Sequence, residues 1–430
     1  MPTKQASINF KRYLLASVVL FSCSGVRADD SPSMDDLIAK ATQGDARAQL
    51  SLAYRYRDGK GVDRDDSQAM RWAHLAADAG SADAMDFVGF AFLRGQGVHG
   101  NPAIACGYFR AAAGRSAMAG FNLGHCYFGA HGVDLNIPEA LEVWKNAAAL
   151  GSGRAAAEAA MVYLSGEGVP ADPDEARRLA TRSAELNDPS GLVVLGEIQF
   201  RAGASEQARA NWAKASRIKP VGPTGQPVQP ADNMSAQEGA DLLKLLDYRQ
   251  RKPEPGIFAL VDGPHVHQGF NNCGATSSAM LARFQGAKLG GWEFKRLCPS
   301  PVGTGTDWGD LIKAAAKIGL RWKLVTFEPD DAGFERGASF LRAELDAGRP
   351  VVIDFKFTGP EYPGGEAGHT LDVAGYIAAQ DLYILRNPAI ATPGLELMSA
   401  GDLKRYWRSD HYGAISHGVL SRPAIVLETQ

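Results

Sequence analysis

The sequence has only five cysteines in 430 residues, too few in a chain this long for a disulfide scaffold. It has no basic run longer than a few residues and a net charge of -3, so it carries no electrostatic footprint for nucleic acid. It also lacks the composition of a disordered or collagen-like chain: 45% of residues are hydrophobic and 22% charged, the shares of an ordinary globular protein. The apolar run Tyr13 to Phe21 is too short to span a bilayer, and nothing suggests a multi-span membrane protein. Two or three globular domains are therefore expected.

That apolar run follows Lys11 and Arg12 and precedes Val26 and Ala28, small residues three and one before a cut at Asp29. The pattern predicts a signal peptide over residues 1–28 and export of the mature chain to the periplasm or beyond. An alternative is cleavage before Cys23 in "LFSC", which would make Cys23 a lipidated N-terminus and the protein an outer-membrane lipoprotein. Export leaves Cys106, Cys126, Cys273 and Cys298.

Residues 29–216 carry a repeat. "GKGV", "GQGV", "GAHGV" and "GEGV" end at Val62, Val98, Val133 and Val169, in steps of 36, 35 and 36 residues. Ala69, Ala105, Ala140 and Ala176 follow at a near-constant offset, and Trp72, Tyr108, Val143 with Trp144, and Leu179 come soon after. Each unit reads as two short helices parted by glycines, which accept the positive φ that ends a helix. One such hairpin cannot bury its own apolar face, so the units must stack into an all-α helical-repeat solenoid. A weaker fifth unit, Gly191 to Ser216, lacks the Gly-Val turn and is read as an end cap. These motifs resemble Sel-1-like repeats, relatives of the tetratricopeptide repeat. The resemblance implies that the array binds a protein partner or substrate. Cys106 and Cys126 fall at similar height on neighbouring helices, either as a disulfide or as two reduced core thiols.

Residues 217–256 read as a proline-rich linker, "KPVGPTGQPVQPADN", with a short amphipathic helix near Ala236 to Tyr248. Such a linker predicts few crossing contacts, so that residues 257–430 should fold without the array. In that segment helices are predicted over Gly274–Phe284, Trp292–Leu297, Trp308–Ile318 and Ala338–Ala347. Strands are predicted at "PVVIDFKF", "HTLDVAGYI", "LYILRN" and "RPAIVLE". The fold class is α+β.

Cys273 opens the first of those helices. A helix N-terminus favours thiolate over thiol, and Gly274 keeps the approach to the sulfur open. Gln268, five residues upstream, is placed to donate into an oxyanion hole. Among the nine histidines, His369 has the best context for an imidazole partner, at the head of a strand. A hairpin turning near Ala378 sets Asn387 across from it, where the amide can fix the imidazole tautomer. A metal site built on His265, His267 and Cys273 lacks a fourth ligand at suitable spacing, and no cofactor is implied. Asp307 and Asp310 read as first-turn helix residues.

"QGFNNCGATSSAMLARF", "GTGTDWGDLIKAAAKIGL", "GRPVVIDF" and "GHTLDVAGYIAAQDLYILRNP", in this order, closely resemble the papain-like cysteine peptidases of the double-glycine, bacteriocin-processing type. The resemblance implies a papain-like domain over 257–430, with Gln268 as oxyanion donor, Cys273 as nucleophile, His369 as base and Asn387 as orienting residue. It implies cleavage of a peptide or protein. Acyl transfer to an amine through the same thiol chemistry, and peptide binding without turnover, are the alternatives.

Overall fold

The computed structural model describes residues 33–218, 234–266, 273–300, 306–357, 367–389, 392–407 and 422–428. The Tyr13–Phe21 run, Cys23, His267, Gln268 and most of the proline-rich segment lie outside them. The described chain divides into two compact units that meet in sequence at Ala159 and Ala160.

The helices of the repeat region form a solenoid. They are α1 (Met34–Thr42), α2 (Ala46–Asp58), α3 (Asp66–Asp78), α4 (Ala82–Arg94), α5 (Pro102–Ala112), α6 (Ala117–Gly129), α7 (Ile137–Ala149), α8 (Gly153–Ser165), α9 (Pro173–Glu185), α10 (Pro189–Arg201) and α11 (Ser205–Ala215). Side-chain oxygens of Asp45, Asp65, Ser81, Asn101, Ser116 and Asn136 cap α2 to α7 in turn, satisfying N–H groups that the helix leaves unpaired. Both glycines of the Gly-x-Gly-Val segments take positive φ, as at Gly59 and Gly61. The second is constrained twice over. A Cβ on Gly97 would sit 2.5 Å from the Asp66 carbonyl oxygen, and one on Gly132 would sit 2.2 Å from the Ala103 nitrogen. These two turns are thus pressed onto the start of a helix in the preceding repeat. In "GAHGV", Ala130 holds the left-handed position at φ 52°.

Large aromatics pin the two helices of a unit together. Trp144 Nε1 donates to the Phe121 carbonyl at 3.1 Å, over a surface cleared by Gly124. In the fifth unit Trp212 Nε1 donates to the Val193 carbonyl at 3.2 Å, over Gly196. That unit is therefore a working repeat with a shorter turn. Nor does it cap the array, because α12 (Met234–Arg249) packs onto α10 and α11. Gly239 fits against the Trp212 carbonyl and Ala215, and Ser235 Oγ lies 2.8 Å from Ser190 Oγ. Arg249 forms a bidentate pair with fully buried Glu197 at 2.7 and 2.9 Å. The amphipathic helix of the linker is thus a structural part of the solenoid. Cys106 and Cys126 are joined as a disulfide.

The remaining elements are β1 (Phe258–Leu260), α13 (Cys273–Phe284), α14 (Gly291–Leu297), α15 (Trp308–Lys317), β2 (Trp322–Phe327), α16 (Asp331–Asp346), β3 (Val351–Phe357), β4 (Ala367–Ile377), β5 (Leu382–Arg386), β6 (Leu395–Ser399), α17 (Ala400–Tyr406) and β7 (Arg422–Leu427). The strands form one antiparallel sheet in the order β2-β7-β3-β4-β5-β6, and β1 adds to the stretch of β4 beyond β3. One cluster, with Phe334 and Leu341 of α16 and Leu403 of α17, packs on Ile353, Leu371 and Leu385. A second, with Ala275 and Ala279 of α13, Phe294 of α14 and Leu311 of α15, packs on Val352 and Ile425. Alternate residues of β3 thus serve opposite clusters, as strand geometry requires. The expected helices and strands are present. α16 begins seven residues before Ala338, at an Asp330 cap, and β1, β2 and β6 add three strands to those predicted.

Contacts cross the expected linker. Glu167, the variable residue of "GEGV", is buried and accepts from the Gly291 and Trp292 N–H groups at the start of α14, each at 3.1 Å. Arg283 Nη1 donates to the Ser165 carbonyl at 2.8 Å. From α12, Glu238 accepts from the Gly394 N–H and Asp241 from the Leu397 N–H, so the helix covers the edge of the sheet.

Candidate active site

Cys273 is the first residue of α13, half-buried, with a free thiol. Ser277 Oγ of the same helix donates to the Thr370 carbonyl at 3.0 Å, and Gly274 lies against Thr370 as well. Cys273 and His369 are each one residue away from this helix–strand contact. A Cβ on Gly274 would meet Leu311, Thr370 and Thr306 at 3.6–3.8 Å, ordinary packing distances. Among the described residues, then, none demands glycine at 274 by close packing.

His369 and Asn387 come together. His369 Nε2 lies 2.8 Å from Asn387 Oδ1, and both side chains are buried. The hairpin achieves this differently from the sequence expectation. Its turn centres beyond Ala378, with Ile377 opposite Leu382. Carried through unchanged, that register would set Asn387 opposite Asp372, on the other face from His369. A bulge between Val373 and Gly375 shifts the pairing by one, to Asp372 opposite Arg386. Asn387 then falls opposite Leu371, two residues from His369 and on the same face, within reach of a diagonal contact.

The Asn387 amide is oriented at both ends. Oδ1 accepts from the Ala389 N–H at 2.9 Å, and Nδ2 donates to Glu396 Oε1 at 3.2 Å. With Oδ1 facing the ring, His369 carries its proton on Nε2 and has Nδ1 as its acceptor nitrogen. Burial lowers the His369 pKa, while Asn387, Glu396 and Asp354 work in the opposite direction. Burial thus disfavours the imidazolium, and the neighbouring amide and carboxylates favour it.

The Asn387 backbone is held too. Its N–H donates to the Gly394 carbonyl at 2.8 Å, and its carbonyl lies 2.9 Å from His265 Nε2. The other His265 nitrogen meets Thr392 Oγ1 at 3.1 Å. His265 is thus a buried strut with both ring nitrogens engaged. Among the described residues no group of histidine, cysteine and acidic side chains could hold a metal ion. Cys298 is free and buried, its thiol pushed up to about 11 by burial. Asp307 caps α15 by accepting from the Asp310 N–H, as its position predicts.

Sequence reasoning missed Lys295. It is 1% exposed, and its ammonium donates to Ser300 Oγ at 2.9 Å and Thr306 Oγ1 at 2.6 Å. Burial lowers its pKa, opposed by Cys298, Asp310, Asp307 and Cys273. A single lysine on a short helix gives no sequence signal. Glu396 and His265 were equally silent, because their roles depend on the segment 387–397 folding back on itself.

The chain thus joins a helical-repeat solenoid to an α+β sheet domain that has a thiol at a helix start and a buried histidine–asparagine pair. Comparison with known families agrees. Residues 46–81, 82–115, 117–152 and 153–188 each match the Sel1 repeat, and residues 257–415 match the family described as Peptidase_C39 like. The chain therefore carries four Sel1 repeats and a Peptidase_C39-like domain. A Sel1 repeat protein from Oxalobacter formigenes is similar at 24% identity over 52% of this chain and 86% of that one, with a TM-score of 0.42. A protective antigen of uropathogenic Escherichia coli with an SLR fold is similar at 18% identity, covering 73% of this chain and 60% of that one, TM-score 0.42. A double glycine motif protease from an AMS/PCAT transporter, solved with a leader peptide, is similar at 17% identity over 40% of this chain and 95% of that one, TM-score 0.27. No curated protein matches the chain.

Proposed function

We propose that this protein is an exported cysteine peptidase whose repeat array binds a protein partner or substrate. The observation that carries the reading is the buried His369 Nε2–Asn387 Oδ1 hydrogen bond at 2.8 Å, inside a domain that matches a cysteine peptidase family. In this reading His369 Nδ1 takes the thiol proton and the Cys273 thiolate attacks the scissile carbonyl. The Cys273 N–H and Gln268 hold the oxyanion. The imidazolium then protonates the leaving amine, and the neutral ring activates water to release the acyl group. The Cys106–Cys126 disulfide supports an oxidising compartment and so the signal-peptide reading of residues 1–28, with lipidation at Cys23 as the alternative.

The test is turnover of a peptide mixture by purified protein, with products identified by mass. Cleavage that disappears in Cys273→Ala, and that added amines divert only partly, is the expected result. Cleavage surviving in Cys273→Ala would overturn the assignment, and complete diversion to amide products would make the enzyme a transferase.

A further inference from the structure

At the other end of the Asn387 amide from His369 stands Glu396, accepting from Nδ2 at 3.2 Å. A primary amide can present either its oxygen or its nitrogen to a neighbour. If Asn387 turned its NH2 toward the ring, Nε2 would become the acceptor and the proton would sit on Nδ1. The nitrogen needed to take the thiol proton would then be blocked. A carboxylate only accepts, so Glu396 discriminates between the two orientations at Nδ2, as the Ala389 N–H does at Oδ1.

Glu396 is itself held from behind. Its neighbours Gly394 and Leu397 donate their N–H groups to Glu238 Oε1 at 3.1 Å and Asp241 Oδ2 at 3.3 Å, both on α12. The Gly394 carbonyl in turn accepts from the Asn387 N–H at 2.8 Å. α12 lies before residue 257, outside the segment that matches the peptidase family.

We propose that Glu396 is a positioning residue of this site: by accepting from Asn387 Nδ2 it selects the amide orientation that keeps the histidine proton on Nε2, and α12 fixes the strand that carries it. This rests on the Cys273–His369 reading above. A corollary follows from charge. An aspartate at 387 has no proton to give Glu396, so two carboxylates would meet there unless residue 396 became a donor.

The test is the rate of iodoacetamide labelling of Cys273 in the full chain at pH 6, with a thermal melt recorded for every variant. Glu396→Leu should label about tenfold more slowly than wild type, the scale of one lost orienting hydrogen bond, while Glu396→Gln, which keeps an acceptor oxygen, stays within about threefold. Asn387→Asp should be slow by at least about tenfold, and Asn387→Asp/Glu396→Gln should recover most of that loss, because the Gln amide can donate to the new carboxylate. Glu396→Leu labelling at the wild-type rate, or a double variant no faster than Asn387→Asp, would overturn the inference. Should Glu396→Leu fail to fold, the Asn387→Asp pair decides alone. His369→Ala separates the two claims. If it labels like wild type, the underlying dyad falls; if it is slow while Glu396→Leu is not, only the role of Glu396 falls.

Discussion

Replacing Arg249 by alanine should destabilise the protein by about 3–5 kcal/mol at pH 7, the usual cost of stranding one member of a buried ion pair. The Arg249 side chain is 8% exposed and Glu197 is fully buried, joined by two short hydrogen bonds. The guanidinium also lies 4.1 Å from the centre of the Phe200 ring, a contact the variant loses. Only Arg201, half exposed, would still pair with Glu197. Burial pushes the Glu197 carboxyl up, but Arg249 and Arg201 more than offset this and hold it below its usual range. A depressed carboxylate contributes stability above its unfolded pKa, and loses it as pH falls through the folded one. In the variant the opposite holds, since a buried Glu197 left with only the half-exposed Arg201 takes up a proton more readily and becomes tolerable. The difference between the two proteins should therefore be largest near pH 7 and shrink toward pH 3.5. Urea unfolding followed by circular dichroism at both pH values measures it. A difference below about 1 kcal/mol at pH 7, or one that persists undiminished at pH 3.5, would refute the view that this pair locks α12 to the solenoid.

A chain beginning at Gly153 keeps α8 whole and should hold the sheet domain folded as in the intact protein. One beginning at Ile257 loses Glu167, Glu238 and Asp241 from the N–H groups they satisfy, and should melt at least about 10 °C lower; equal midpoints would show those contacts to be incidental. Ala130→Gly should raise stability by about 1 kcal/mol in a thermal melt, since alanine is strained at a left-handed position, and a lowered midpoint would contradict this. Peptide mapping without reduction should recover Cys106 linked to Cys126. Cys106→Ser should destabilise by about 3 kcal/mol for a loop of this length, and a variant as stable as wild type would show that the link contributes nothing.

The repeat was legible because its turns impose rigid demands. Positive φ at two positions and close approach at the second leave glycine as the usual solution, so the motif recurs wherever the geometry does. The fifth unit was blurred because its shorter turn drops that motif, although Gly196 under Trp212 repeats the arrangement of Gly124 under Trp144. The pairing of His369 with Asn387 was also within reach of sequence, but not by the simple hairpin supposed. The turn lies further along than Ala378, and the bulge at Val373–Gly375 restores the face, so a miscentred turn and an unforeseen bulge nearly cancel. What stayed hidden depends on distant chain segments meeting. Glu167, Glu238 and Asp241 look like solvated helix and turn residues until the N–H groups they cap are known, and the proline-rich composition concealed that α12 beyond it is packed on both sides.

The pH dependence of Cys273 alkylation tests the account most directly. An imidazole that takes the proton of a thiol leaves the thiolate, the form that alkylates. A limiting pulse of iodoacetamide near pH 6 should therefore label Cys273 far ahead of buried Cys298, whose thiol is pushed up to about 11. His369→Ala should slow this labelling much more at pH 6 than at pH 9, where the isolated thiol ionises unaided. Cys273 labelling at the same rate in wild type and His369→Ala at both pH values would contradict the dyad, and with it the peptidase reading.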